Sequence, residues 1–146
     1  MLLVENIQVS EIMTPDLISV YKSDTMDKVH KIFNEHQIHH VLVVDNTGKL
    51  AGVISKGGYN LLCERFTLLK PEKTEMTNLH FFKSLRAEEV MRSQLAVLKP
   101  SDPISKAVGY FKENIFRAMP IIDEEHNLVG ILTTYDLLVF AYKDLV

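Results

Sequence analysis

Val41-Leu42-Val43-Val44-Asp45, then Leu50-Ala51-Gly52-Val53-Ile54, decide the fold, because both are written again 78 residues later. The second writing is Met119-Pro120-Ile121-Ile122-Asp123 and Leu128-Val129-Gly130-Ile131-Leu132. Each copy reads as two short strands joined by a turn, Asn46-Thr47-Gly48-Lys49 in one and Glu124-Glu125-His126-Asn127 in the other. Outward from the strands the same offset runs without a gap, from residues 10–62 onto 88–140. Eleven of those 53 positions are identical, against roughly 3 or 4 expected by chance. They are Glu11/Glu89, Met13/Met91, Leu17/Leu95, Ser23/Ser101, Asp24/Asp102, Lys28/Lys106, Phe33/Phe111, Glu35/Glu113, Asp45/Asp123, Leu50/Leu128 and Gly52/Gly130.

The repeated residues fall where local structure wants them. Asp24 and Asp102 are expected helix N-caps, with Pro103 following at N1, where its missing N–H costs nothing. Helical spacing follows in Met26, Val29, Ile32, Phe33 and again in Ile104, Ala107, Val108, Phe111. Initial strands are expected at Leu17–Val20 and Leu95–Leu98, and closing helices near 58–69 and 134–143. The order is β-α-β-β-α per copy, an α/β (α+β) chain. The organisation expected is repeat 1 over 8–69, a charged and proline-broken connector over 70–84, and repeat 2 over 85–143. Phe66, Leu68, Leu69, Phe81 and Phe82 imply that the connector region docks on the protein. Copies this small bury little core alone, so packing about a pseudo-two-fold axis with a cleft between them is expected.

Composition narrows the function classes. The 146 residues are 47% hydrophobic and 24% charged, with net charge −3, which describes a globular chain without general attraction to nucleic acid or anionic membrane. The longest apolar run, Leu137–Tyr142, is too short to span a bilayer, and Met1–Glu5 lacks a signal peptide's basic and apolar regions. A cytoplasmic location is expected. The single cysteine, Cys63, reads as core filler, and the methionines after Met1 read as packing residues.

Three segments resemble the CBS domain, the module named after cystathionine β-synthase. They are Ser10-Glu11-Ile12-Met13-Thr14-Pro15, Ile38-His39-His40-Val41-Leu42-Val43-Val44-Asp45 and Gly52-Val53-Ile54-Ser55. The second copy repeats the series with Glu89-Val90-Met91, Arg117–Asp123 and Gly130-Ile131-Leu132-Thr133-Thr134-Tyr135-Asp136. The resemblance covers about residues 8–143. It implies a stand-alone regulatory tandem pair that binds AMP, ADP, ATP or S-adenosylmethionine between its copies, forms a homodimer and acts on an unidentified partner protein. No cofactor is expected beyond that ligand.

The resemblance also assigns site residues. Ile131, Thr133 and Asp136 belong to the motif that holds a ribose, where one carboxylate accepts from the 2′- and 3′-hydroxyls. Thr133 and Asp136 equally fit a helix-capping arrangement, and the two readings are compatible. Gly58 stands where Asp136 stands in the other copy, so one competent adenosine site is expected. The first-copy counterpart is left empty, open to a different anion, or served by Lys56 as a point charge. Thr14 and Ile18 are the expected base-binding wall, with ordinary core packing the alternative for Ile18. Arg117, His39 and His40 are the expected phosphate contacts, with a solvated strand end the alternative.

His36, His39 and His40 invite a metal reading. Adjacent strand residues point to opposite faces, however, and no recognised ligand spacing is present, so no metal site is assigned. Phosphate-loop and nucleophile motifs are absent from the sequence, and a non-enzymatic role is expected. Two other readings stay open, a ligand-free dimerisation or scaffold module and, third, a metal-binding protein that uses the histidines. Apolar helix faces support a homodimer, with Leu61, Leu62 and Phe66 on one helix and Leu137, Leu138, Phe140 and Tyr142 on the other.

Overall fold

In a computed structural model the described residues are 7–15, 17–69, 80–114 and 116–145, with backbone alone for 66–69. The elements are β1 (Ser19–Tyr21), α1 (Met26–Glu35), β2 (His40–Val44), β3 (Leu50–Ser55), α2 (Lys56–Leu69), α3 (Ala87–Val90), α4 (Ile104–Lys112), β4 (Ala118–Ile122), β5 (Leu128–Thr133) and α5 (Thr134–Ala141). The fold is mixed α/β with two small sheets, ordered β1-β2-β3 and β4-β5. Two compact units divide the chain. One is Ile18–Ser93, and the other joins Met1–Leu17 to Gln94–Val146. Among the described residues, no helix is long and apolar enough to cross a membrane.

In the unit Ile18–Ser93, β1 runs parallel and β3 antiparallel to the central β2. Val41 to Val44 are all buried, which is why β2 reads as a continuous apolar run rather than an alternating one. Met26, Val29 and Phe33 bring one face of α1 onto this sheet, beside Tyr59 and Phe82. Phe82 comes from a helical stretch at residues 80–84 and is almost wholly buried, so this part of the connector docks on the first-copy core. Residues 70–79 and the side chains of Phe66, Leu68 and Leu69 lie outside the description.

The second unit repeats this plan with one strand fewer. Leu95–Leu98 forms no strand, and Leu98 makes a single parallel bridge to Ile121. Two prolines explain the loss. In the first copy the ladder is extended by Leu42 N–H donating to the Ile18 carbonyl and Lys22 N–H to that of Val44, at 3.3 and 2.9 Å. The equivalent residues are Pro120 and Pro100, which carry no N–H. What survives is Leu98 N–H to the Pro120 carbonyl and Ile122 N–H to that of Leu98, at 3.0 and 2.9 Å.

The aspartate expectation also needs correcting. The N-caps of α1 and α4 are Thr25 and Pro103, one residue beyond Asp24 and Asp102, so Pro103 is the cap and not N1. The carboxylates point backward instead, accepting from the N–H groups of Tyr21 (2.7 Å) and Lys99 (2.8 Å). Each also meets a lysine one helical turn ahead, Lys28 and Lys106. Both copies thus use the Asp to close the turn before the helix. Asp45 and Asp123 close the strand turns similarly, each accepting two backbone N–H groups downstream.

The compact units are not the repeats as read along the chain. The opening segment of the first copy sits in the unit of β4 and β5, where Thr14 pairs with Ile131 and Gln8 with Pro103. That of the second copy sits in the unit of β1, β2 and β3, where Arg92 pairs with Val53 and Arg86 with Thr25. The glycines shared by the copies permit this approach. A Cβ on Gly130 would lie 2.6 Å from Met13 Sδ, and one on Gly52 would lie 2.6 Å from Met91 Sδ.

Candidate functional site

Strand β5 ends at Thr133 and α5 begins at Thr134, so the turn between them presents the first helical N–H groups. Thr133 is the N-cap. Its Oγ1 accepts from the Asp136 N–H at 3.1 Å, and the Asp136 Oδ2 accepts from the Thr133 N–H at 2.9 Å. This is a reciprocal cap with aspartate at the third helical position, where the helix dipole favours an anion. The capping geometry is therefore present. It occupies one carboxylate oxygen. The other, Oδ1, lies 3.5 Å from the Thr14 hydroxyl, which donates weakly to it.

Backbone pairing puts Thr14 there. Thr14 N–H donates to the Ile131 carbonyl at 2.9 Å and Ile131 N–H to that of Thr14 at 3.0 Å. Arg117 borders the same turn, with an exposed side chain and a carbonyl that accepts from the Thr134 N–H at 3.1 Å. Thr14, Ile131, Thr133 and Asp136 thus form one constellation, with Arg117 at its edge. Ile131 is buried, Thr14 is exposed, and Thr133 and Asp136 are half-buried.

Ile18, His39 and His40 belong to the other compact unit. Half-buried Ile18 accepts from Leu42 N–H and so leads into β1. His40 is half-buried and paired with Ser55, while His39 is exposed. Burial, and then the neighbouring His39, push the His40 imidazole below its ordinary pKa. At the β3–α2 turn Ser55 Oγ accepts from the Gly58 N–H at 3.0 Å, but no carboxylate answers it. Among the described residues, no three His, Cys, Asp or Glu side chains gather as metal ligands would.

Two features escaped the sequence. Arg92 takes the place of Thr14 in the first-copy turn, a substitution readable from the 78-residue offset once the pairing with Val53 is known. His30 and Tyr59 hydrogen-bond each other and tie α1 to α2, where the second copy has Val108 and Leu137. Cys63 packs against the same core, and burial raises its thiol pKa, which suppresses the reactive thiolate.

Comparison with known proteins agrees with this architecture. A CBS-domain protein of Dictyostelium discoideum is 24% identical over 92% of this chain and 91% of its own length. The homoserine O-acetyltransferase of Methanohalobium evestigatum is 23% identical over 88% of this chain, which spans only 23% of that enzyme. Among solved structures, CBSX2 in complex with AMP superposes with a TM-score of 0.75 at 22% identity, covering 95% of this chain and 98% of that one. The CBS domain pair of protein MJ0100, in complex with 5′-methylthioadenosine and S-adenosyl-L-methionine, gives 0.71 at 22% identity, covering 94% and 98%. At that identity the likeness is one of fold. The CBS domain model itself matches residues 9–57 and 87–143, most of the sequence, and the chain belongs to the CBS domain family.

Proposed function

We propose that the chain is a regulatory, non-catalytic module that senses an adenosine ligand through the β5–α5 turn, with Asp136 as the ribose anchor. The observation that carries this is the division of labour in the Asp136 carboxylate. Oδ2 is fixed by the Thr133 N–H, while Oδ1 has, among the described residues, only the long Thr14 contact. A ribose hydroxyl donates to such an oxygen better than a hydroxyl at 3.5 Å does. Arg117 lies within the same unit as the candidate phosphate contact, and Ile131 as the apolar floor. The neighbours that hold AMP, or methylthioadenosine and S-adenosylmethionine, support the ligand class. One site is expected, since Gly58 has no carboxylate to offer.

Calorimetry with AMP, ADP, ATP and S-adenosylmethionine tests the reading. The expected result is binding to wild type that weakens about 100-fold in Asp136→Ala, the loss of two charge-assisted hydrogen bonds. No binding, or unchanged binding in the variant, overturns it.

A second reading, a ligand-free scaffold, has the reciprocal cap on its side, because capping alone justifies both Thr133 and Asp136. It expects Thr133→Ala to cost about 0.5–2 kcal/mol of stability with no ligand affinity to lose. In either reading we propose a homodimer. Tyr135, Leu138, Val139 and Tyr142 leave α5 and its end with an exposed apolar face. Sedimentation of wild type against Leu138→Glu checks this, with the variant expected to shift to monomer.

A further inference from the structure

We propose that Met13 and Met91 are peroxide-sensitive latches, each pinning an opening segment to a buried glycine through a thioether that oxidation to the sulfoxide releases. The latch does not depend on the Asp136 reading; only its consequence for a ligand rests on that reading.

The two methionines are repeat equivalents, 78 positions apart, and each meets its glycine within one compact unit. Met13 follows the turn Val9–Glu11 and packs on Gly130 of β5, while Met91 follows α3 and packs on Gly52 of β3. Both glycines are buried, and each sulfur stands 2.6 Å from where the glycine's Cβ would be. The thioether thus fills the side-chain position that the glycine leaves vacant. Met13 also packs against the core of Leu98, Met119 and Leu132, and Met91 against that of Val41, Val43 and Ile54. In each copy the very next residue makes the bridge, Thr14 to Ile131 and Arg92 to Val53.

Exposure singles out this pair. Met26 and Met119 are 0% exposed, whereas Met13 and Met91 are half-buried and so within reach of a small oxidant from solvent. With hydrogen peroxide the sulfur donates a lone pair to one oxygen, an S–O bond forms as the O–O bond breaks, and the second oxygen leaves as water. The sulfur is oxidised by two electrons and the peroxide is reduced by two.

The product is polar where the thioether was apolar, and its oxygen needs a donor. The local backbone donors are already engaged. Met13 N–H donates to the Val9 carbonyl and Met91 N–H to that of Ala87, both at 2.9 Å. Thr14 and Ile131 exchange N–H and carbonyl at 2.9 and 3.0 Å, as do Arg92 and Val53. The sulfoxide must therefore take a donor from the frame, or turn to water and carry the sulfur off the glycine. Both routes loosen the bridge. At Met13 that bridge also brings the Thr14 hydroxyl to Asp136, so oxidation there disturbs the turn proposed to hold a ribose.

The test is hydrogen exchange of the full chain before and after mild hydrogen peroxide, with peptide mass mapping to place each added oxygen. Met13 and Met91 are expected to oxidise ahead of Met26 and Met119, and the Thr14, Ile131, Val53 and Arg92 amides then to exchange about tenfold faster or more. Methionine sulfoxide reductases are expected to restore slow exchange. Met13→Leu, of similar volume, is expected to spare Thr14 and Ile131 but not Val53 and Arg92, and Met91→Leu to do the converse. Should melting curves show that a leucine variant does not fold, reductase rescue of the wild type decides. Earlier oxidation of Met26 or Met119, unchanged exchange in the oxidised protein, or acceleration that persists in the variants overturns the proposal. If AMP, ADP, ATP and S-adenosylmethionine fail to bind but exchange responds as expected, the ribose reading falls and the latch stands. If one of them binds through Asp136 and exchange does not respond, the latch falls and the ribose reading stands.

Discussion

The β5–α5 and β3–α2 turns are built on the same backbone bonds, yet one ends in Thr133-Thr134-Tyr135-Asp136 and the other in Ser55-Lys56-Gly57-Gly58. In the first, the cap is reciprocal and a carboxylate faces the turn. In the second, only the serine half of the cap remains and the neighbouring side chains are cationic. The contrast teaches that frame and chemistry are specified by different residues. The frame depends on the bridge pairs and the glycines at 52 and 130, which are common to both copies. The chemistry depends on positions 14, 56, 58 and their equivalents, which are not.

The largest stability effects are therefore expected at the frame. Gly52→Ala and Gly130→Ala each drive a methyl to 2.6 Å from a methionine sulfur, and overpacking of this kind costs about 1–3 kcal/mol. The two should differ. The added Cβ at 52 also meets the Arg92 carbonyl at 2.9 Å, whereas at 130 the nearest carbonyl, that of Thr14, is 3.3 Å away. A methionine can yield and a backbone cannot, so denaturant unfolding should show Gly52→Ala as the more damaging. Equal losses would mean that the methionine contacts common to both copies set the cost and that the nearer Arg92 carbonyl adds nothing.

At the chemistry positions the expected effect is smaller and of opposite sign. Gly58→Asp removes a poor helix former and supplies the missing half of the cap, for a gain of about 1 kcal/mol. The 3.2 Å approach to Ser55 Oγ decides whether the gain is realised, since the hydroxyl must turn slightly to accept the carboxylate side chain. A stabilised variant would show that the β3–α2 turn can take up the reciprocal cap of its twin. A destabilised one would show that the β3–α2 turn cannot adopt the cap of its twin.

Much of this comparison can be read from the sequence, because a gapless offset carries residue onto residue. The hairpins, the paired turn aspartates and the loss of Asp136's counterpart all follow from it. Other features escape for physical reasons. Leu95–Leu98 has strand-like residues, but its ladder depends on N–H groups that Pro100 and Pro120 lack, and one of these sits on the partner strand. Asp24 and Asp102 suit a cap chemically, yet the helices begin one residue later than a cap there requires, and the carboxylates serve the preceding turn. A non-local feature, Arg92 bridging to Val53, joins residues 39 positions apart and so leaves no periodic trace. Propensity reads neighbours in the chain, and this pairing is decided by how the opening segments are exchanged between compact units.

His40 gives a pH-dependent way to sharpen the contrast, since its counterpart is Ala118. Its folded-state pKa lies below the ordinary 6.5, chiefly through burial. The unfolded chain therefore binds this proton more readily, and stability rises with pH through the window just below 6.5. Stability should fall as pH drops through that window and flatten once the folded imidazole also protonates. His40→Ala makes the first copy resemble the second and should reduce the slope of melting temperature against pH there. An unchanged slope would place the acid sensitivity elsewhere.

The smallest expected effect lies in the strand turns. Gly48 has φ of 86° and its equivalent, His126, has φ of 66°, so one copy meets a left-handed requirement with glycine and the other with a side-chain residue. L-residues with a Cβ carry a penalty of roughly 1 kcal/mol in that region, which glycine avoids. Gly48→Ala should therefore destabilise by about that amount, since nothing lies within 4 Å to clash with the new methyl and the cost is conformational alone. His126→Gly relieves the same strain but frees the unfolded chain, so the net gain should be a few tenths of a kcal/mol. Both turns are closed by an aspartate whose pKa is held below its usual value, Asp45 by the Thr47 hydroxyl and the Lys49 and Thr47 N–H groups, Asp123 first by the Asn127 N–H. That common closure lets His126 keep glycine's conformation. Were His126→Gly to destabilise instead, the imidazole would have to contribute contacts that outweigh the backbone strain, and the two turns would be alike in shape but not in what holds them.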